Sequence, residues 1–134
     1  MIVVDTNVIG YLYLTSDRSA LAEQALRKDP LWSAPLLWRS EFRNVLAYYI
    51  RKNLIRLEDA QQIMGEAMRL MQGREYEVAS YQVFSLVATG TCSAYDCEFV
   101  ALAKDLDVSL VSVDKEILAQ FSAIAIPLEK FVAG

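Results

Sequence analysis

No histidine occurs among the 134 residues of the chain. That absence removes serine and cysteine triads built on imidazole, paired-histidine ribonuclease chemistry and every histidine-ligated zinc site. Cysteine is nearly absent too. Cys92 and Cys97 make no CxxC pair, are too few for a thiolate zinc site, and do not form a disulfide framework, as befits a reducing compartment. We take both as small core or helix-start residues. With 5 Gly and 3 Pro against 54% hydrophobic residues, the chain is neither disordered nor fibrous. Charged residues interrupt each apolar stretch well before the roughly 18 residues needed to span a bilayer. No basic segment precedes an apolar one at Met1-Ile2-Val3-Val4-Asp5, so no secretory signal is expected. These exclusions predict one globular domain over 1–134, soluble, cytoplasmic and without membrane contact. Any catalysis has to rest on carboxylates, hydroxyls, lysine or a hard metal ion.

The apolar runs and turn residues predict strands at Ile2-Val3-Val4, Leu31-Trp32-Ser33, Tyr76 to Ala79, Leu110 to Val113 and Ile124-Ala125-Ile126. Helices are expected from a Ser16 or Asp17 cap to about Lys28, from Pro35 through Leu36 to about Lys52, and from Leu57 to about Gln72. Others are expected over Tyr81–Ala88, Ala94–Leu106 and Lys115–Phe121. Strands alternating with helices require crossover connections, hence an α/β fold with a central parallel sheet covered on both faces. Ligands collect outside the carboxyl ends of such strands, and here the two clearest strands finish on Asp5 and Asp114.

Each carboxylate has an ordinary structural reading beside the functional one. Asp5 and Asp114 both stand where an N-cap belongs, the first ahead of a helix starting near Val8. Glu41 differs from a surface glutamate such as Glu23, which has Arg27 four residues on. Its own helical neighbours are Leu37, Trp38, Asn44 and Val45, none of them basic. Asp96 completes a capping box with Ser93, yet it lies in a helix so apolar that packing must surround it, while Glu98 is expected to take the solvent. Taken together the four suggest one converging acidic pocket. Like charges at a few ångströms need a counter-ion, and without histidine the natural one is Mg²⁺ or Mn²⁺, which suits phosphate substrates.

The net charge of −4, from 13 Lys and Arg against 17 Asp and Glu, argues as a whole-molecule property against a nucleic-acid binder. Setting these four acids aside leaves 13 acidic residues against 13 basic ones. Arg39 and Arg43 flank Glu41 and are possible contacts to RNA phosphates, whereas Arg51, Lys52 and Arg56 fit a solvated helix end equally well.

Four segments, in order and spanning essentially the whole chain, resemble the PIN domain, and within it the VapC toxins of toxin–antitoxin pairs. They are Val3-Val4-Asp5-Thr6-Asn7, Ser40 to Leu46, Ser93-Ala94-Tyr95-Asp96 with the Phe99 to Ala103 run, and Val111 to Glu116. The resemblance implies a single three-layer α/β/α domain with a central parallel sheet of four to five short strands. It further implies a Mg²⁺- or Mn²⁺-dependent endoribonuclease, the toxin of a type II pair. It carries the family's acidic quartet onto Asp5, Glu41, Asp96 and Asp114, with Asp5, Asp96 and Asp114 holding metal and Thr6, Asn7 and Ser112 in polar support. Ser112 departs from the threonine more usual before the last aspartate, but a hydroxyl remains. A homodimer, an RNA substrate and a cognate antitoxin whose tail enters the acidic pocket are implied as partners.

A non-catalytic PIN-like module that binds RNA or protein is the alternative, disfavoured because all four acids are present. Two other phosphate-handling α/β classes fit poorly. A haloacid-dehalogenase-like phosphatase wants a second acid two residues after the first, where Asn7 stands. A receiver wants an aspartate ending its third strand, where Ser80 follows Ala79.

Overall fold

A computed structural model describes residues 1–134. Its first half runs β1 Ile2–Val4, α1 Thr6–Tyr13, α2 Ser19–Lys28, β2 Trp32–Pro35, α3 Leu37–Arg51 and α4 Leu57–Met71. The second half runs β3 Glu75–Tyr76, α5 Ser80–Val87, α6 Ala94–Leu106, β4 Leu110–Ser112, α7 Lys115–Gln120, β5 Ala125–Pro127 and α8 Leu128–Ala133. The five strands form one parallel sheet in the order β3-β2-β1-β4-β5. Helices cover both faces, α6 packing across β1, β2 and β4 and carrying α5 on its outer side, with α1, α3 and α4 packed on one another opposite. The expected three-layer α/β/α architecture is therefore what the chain forms.

The strand order fixes where a ligand can sit. The chain lays down β1, β2 and β3 in one direction and then returns to the other side of β1 for β4 and β5. Between β1 and β4 the order reverses, which opens a crevice at their shared carboxyl ends. Both strands are fully apolar up to that edge; Val3, Val4, Leu110 and Val111 have no exposed surface. Polar residues begin where the strands stop, at Asp5 and Ser112.

Several element limits differ from the sequence-based expectation, each for a local reason. Pro35 ends β2 instead of starting α3: the amides of Ala34 and Leu36 donate to the carbonyls of Arg74, just before β3, and Tyr76, so the missing amide of Pro35 points the other way, beyond the β1 pairing. Helix α2 is capped by Arg18 without a side-chain bond, because Ser16 Oγ accepts the Arg18 amide and Ser16's own amide goes to Ser19 Oγ. Strand β3 sits at Glu75–Tyr76, ahead of the expected Tyr76–Ala79, after a turn at Gly73 with φ 81° that favours glycine. Helix α8 was not anticipated. It buries Leu128 and packs on α2, where Lys28 Nζ donates to the Phe131 carbonyl. No helix is long and apolar enough to cross a membrane.

Candidate active site

The carboxyl ends of β1 and β4, the middle of α3 and the first turns of α1, α6 and α7 enclose a cavity of about 250 Å³. Its lining is Asp5, Thr6, Asn7, Glu41, Asn44, Val45, Asp96, Phe99, Asp114 and Ile117. The four carboxylates singled out from the sequence thus meet at one cavity, together with Thr6 and Asn7. Not one lysine or arginine lines it. Asn44, Val45, Phe99 and Ile117 were not singled out beforehand. Each lies three or four residues after an acid on the same helix, so helical spacing from Glu41, Asp96 and Asp114 points to all four.

Asp5 is 6% exposed and anchored by three donors. Its Oδ1 accepts the Val8 amide at 3.1 Å; its Oδ2 accepts the Val113 amide at 3.1 Å and the Ser112 hydroxyl. Burial raises the Asp5 carboxyl above its ordinary range, those hydrogen bonds oppose the rise, and the Asp114 charge adds to it. Of about four lone-pair positions on a carboxylate, three are used, and one on Oδ1 stays open to the cavity side chains. Ser112 lies behind the cavity wall. Its oxygen gives its proton to Asp5 and accepts the Asp114 amide at 3.0 Å, tying the two strand-end acids together.

Asp114 caps α7 through Oδ1, which accepts the Ile117 amide at 2.9 Å. Capping and site membership are therefore not alternatives for Asp5 and Asp114. One oxygen satisfies a helix start while the carboxylate still faces the crevice. Asp96 behaves differently. Ser93 Oγ accepts the Asp96 amide at 3.1 Å, but no bond returns from the Asp96 carboxylate to the Ser93 amide, so the capping box is only half formed. Burial raises the pKa of its carboxylate, Asp114 and Glu116 add to the rise, and a hydrogen bond from the Ser93 side chain opposes it.

Glu41 sits half-buried on α3, whose adjoining face buries Trp38 and Phe42 completely. Thr6 Oγ1 donates to Glu41 Oε1 at 2.7 Å. The Glu41 carboxyl is pushed up by burial, held back by Thr6, and raised again by the charges of Asp96, Asp5 and Glu98. Glu98 does not simply take the solvent, as the sequence suggested. It is half-buried and its own carboxyl is raised by that burial.

Arg39 and Arg43, read from the sequence as contacts to RNA phosphates, do not line the cavity. Two residues along a helix is about 200° of rotation, so neighbours of Glu41 at that spacing point away from the face it occupies. Arg39 is engaged with Glu75 through both arms of its guanidinium, Nε at 2.9 Å, and Trp38 Nε1 donates to the same carboxylate at 2.8 Å. Arg43 is exposed over a groove with Leu46, Ile50 and Met64 between α3 and α4.

One buried and three half-buried carboxylates with no cationic side chain among the lining residues form a donor set that fits a hard divalent cation: oxygen-only, net negative, and partly free of protein bonds. Next to this set, the ligand atoms of Cys92, Asp96 and Glu116 lie within 4.8 Å of one another. The Cys92 thiol is pushed up to about 11 by burial and by Glu116 and Asp96, so at neutral pH it is no nucleophile.

The profile of the PIN domain matches residues 2–125. The chain belongs to the PIN domain family. Among curated proteins it is similar to ribonuclease VapC3 of Pyrobaculum aerophilum, 26% identical over 129 residues that cover 94% of this chain and 98% of that one. Among solved structures it is similar to FitAcB from Neisseria gonorrhoeae, with TM-score 0.72, 16% identity, and 95% and 96% of the two chains covered. It is also similar to VapC20 from Mycobacterium tuberculosis, with TM-score 0.64, 17% identity, and 89% and 94% covered. At those identities the structural likenesses bear on the fold; the PIN profile assigns the family.

Proposed function

We propose that this PIN-domain protein is a Mg²⁺- or Mn²⁺-dependent endoribonuclease, the toxin of a type II toxin–antitoxin pair acting in the cytoplasm. The observation that carries the proposal is the convergence of Asp5, Glu41, Asp96 and Asp114 on one cavity whose lining holds no basic side chain. Its similarity to VapC3, named a ribonuclease, and to VapC20, described as a sarcin–ricin loop cleaving toxin, supports RNA as the substrate class.

In this mechanism Asp5, Asp96 and Asp114 would hold the cation, and Glu41 would complete the site. The bound cation supplies positive charge at the phosphoryl oxygens and lowers the pKa of water nearby. Thr6 fixes Glu41 through Oε1 and leaves Oε2 to orient the attacking water. Ser112 and the Val113 and Val8 amides hold Asp5 in place and favour its ionised form against burial, so little reorganisation remains for the reaction. Asn7, exposed at the cavity lining, supplies an amide for a phosphate or sugar oxygen. Because water attacks in place of the 2′-hydroxyl, the products carry a 5′-phosphate and a 3′-hydroxyl. A homodimer and a cognate antitoxin, whose tail enters the acidic cavity, complete the proposal as partners.

The test is cleavage of RNA with Mg²⁺, with Mn²⁺ and with EDTA, by wild type, Asp5→Ala and Asp96→Ala. Asp96→Ala is the cleaner variant, since its carboxylate caps nothing. Cleavage that needs the metal and disappears in both variants is expected. Equal cleavage by all three proteins overturns the proposal. RNA binding without cleavage by wild type, in either metal, leaves the non-catalytic module.

A further inference from the structure

We propose that the groove between α1 and α3 is a nucleobase subsite: the base of a nucleotide next to the scissile phosphate leaves its stack and inserts between Tyr11 and Tyr49. The identity of that phosphate as the scissile one rests on the nuclease proposal; insertion of the base does not. The groove has a volume of about 140 Å³ and continues from the acidic cavity, since Thr6, Asn7 and Val45 line both. The same helix faces build the two. On α3, Glu41, Val45 and Tyr49 follow one another at four-residue steps, so Val45 stands about 6 Å and Tyr49 about 12 Å along the axis from the acid. On α1, Asn7, Gly10 and Tyr11 share the facing stripe. Asn7, assigned above to a phosphate or sugar oxygen, stands at the join.

Gly10 points to a ligand. It lies inside α1 with ordinary helical backbone, where glycine costs stability relative to alanine. Packing does not require it either: a Cβ built there meets a single atom within 4 Å, Phe42 Cε1 at 3.9 Å, an ordinary contact. The room that the missing side chain leaves belongs to the groove, and it lets a flat ligand approach the helix closely. The lining then selects a base. Tyr11 and Tyr49 are half-buried and offer ring surface, on which any of the four bases stacks. Ser16 Oγ accepts the Arg18 amide at 3.1 Å and keeps its own proton for the edge of a base. Arg18 lies over Tyr11, its guanidinium carbon 5.9 Å from the ring centroid, and is held only loosely, by Glu129 at 3.7 Å. It brings beside the groove the positive charge that the acidic cavity lacks. Burial pushes the Tyr11 phenol up, Arg18 opposes the rise, and Asp5 and Asp17 add to it, so the ring stands in the field of both the acids and the cation. A base paired in a duplex has no free face, so the groove takes single-stranded RNA. An aliphatic peptide side chain would cover the rings and leave Ser16 and Arg18 unused.

The probe is random-sequence single-stranded RNA substituted with 5-iodouridine or 8-bromoadenosine, mixed with the full chain and Mn²⁺ and irradiated so that a halogenated base couples to an aromatic ring stacked on it. Crosslinked peptides are mapped by mass spectrometry, and affinity for the same pools is read by fluorescence anisotropy. Crosslinks are expected on Tyr11 or Tyr49, and not from a fully paired duplex carrying the same bases. Tyr11→Leu and Tyr49→Leu keep apolar bulk and lose the ring; each should bind RNA about fivefold or more weakly, while Tyr11→Phe and Tyr49→Phe stay near wild type. Gly10→Ala separates a subsite from a structural role, because it should melt above wild type yet bind RNA about fivefold or more weakly. Crosslinks that fall only outside the groove overturn the subsite and leave the groove to a peptide side chain. Leucine variants or Gly10→Ala that bind RNA as wild type does overturn it too, and if they also cleave RNA as wild type does, the nuclease proposal survives alone. If wild type crosslinks in the groove but cleaves no RNA with either metal, the nuclease proposal falls and the base-binding site stands.

Discussion

Ser112 is fully buried at the end of β4, and its hydroxyl donates to Asp5 while accepting the Asp114 amide. Replacing it with alanine removes one of the three donors to a buried carboxylate and leaves a half-buried amide without an acceptor. A hydrogen bond to a charged group contributes about 1.5–3 kcal/mol, and the amide can recover part of its loss from water, so about 2–3 kcal/mol of stability should go. In urea, with a slope of about 1–3 kcal/mol per molar, the unfolding midpoint falls by roughly 1 M or more. The effect has a pH signature. The lost bonds favour ionised Asp5, whose folded pKa burial already holds above the usual value, so Ser112→Ala raises it further. Below that folded pKa Asp5 is protonated in both proteins, and the gap between them narrows as pH falls. Ser112→Thr keeps the hydroxyl and should stay near wild type. Urea melts of the three metal-free proteins at about pH 7 and about pH 4 decide it. A midpoint that does not move, or a gap as large at low pH as at neutral pH, refutes the coupling of Asp5 to Asp114 through Ser112.

Asp5, Glu41 and Asp96 each bind a proton more tightly folded than unfolded, so the unfolded chain holds fewer protons in the window above 3.8 for the aspartates and 4.5 for Glu41. The contribution of these groups to stability therefore falls as pH rises through that window, and Mn²⁺ should restore it at neutral pH, as melts with EDTA or Mn²⁺ will read. Glu41→Gln removes a half-buried charge next to Asp5 and Asp96; the metal-free protein should melt higher while metal-dependent RNA cleavage is lost. Arg39→Ala strips Glu75 of its guanidinium and should cost about 1–2 kcal/mol in a urea melt, with no change in the salt dependence of RNA binding, since Arg39 does not line the cavity.

The parts of the fold legible in the sequence are those where one signal acts alone. Ile2-Val3-Val4 and Leu110-Val111 are β-branched and apolar runs that end on polar residues, and they are the central pair of the sheet. Illegible parts are those where tertiary pairing overrides a local preference. Pro35 has the signature of a helix start, but the carbonyls of Arg74 and Tyr76 claim the amides on either side of it. Asp96 fits a reciprocal cap, yet its carboxylate is left to the crevice, and nothing within four residues of it announces Asp114 as its neighbour. Arg39 stands two residues before Glu41 in the sequence. Its partner, Glu75, is 36 residues away on the edge strand, a contact no spacing rule contains.

The way the cavity is held has a consequence for how stability and function trade against each other. Asp5 and Glu41 are fixed by neutral donors, namely amides of Val8 and Val113 and hydroxyls of Ser112 and Thr6, and by no ammonium or guanidinium. Neutral donors orient a carboxylate and lessen its desolvation without cancelling its charge, so mutual repulsion stays in the folded protein. A lysine placed at Asn44, which faces the same cavity, would relieve that repulsion and stabilise the metal-free chain. It would also occupy the potential well that a divalent cation needs. Asn44→Lys is therefore expected to raise the melting temperature in EDTA and to abolish the additional rise that Mn²⁺ gives wild type. If Mn²⁺ stabilises Asn44→Lys as much as wild type, the charge of this cavity is not what holds the ion.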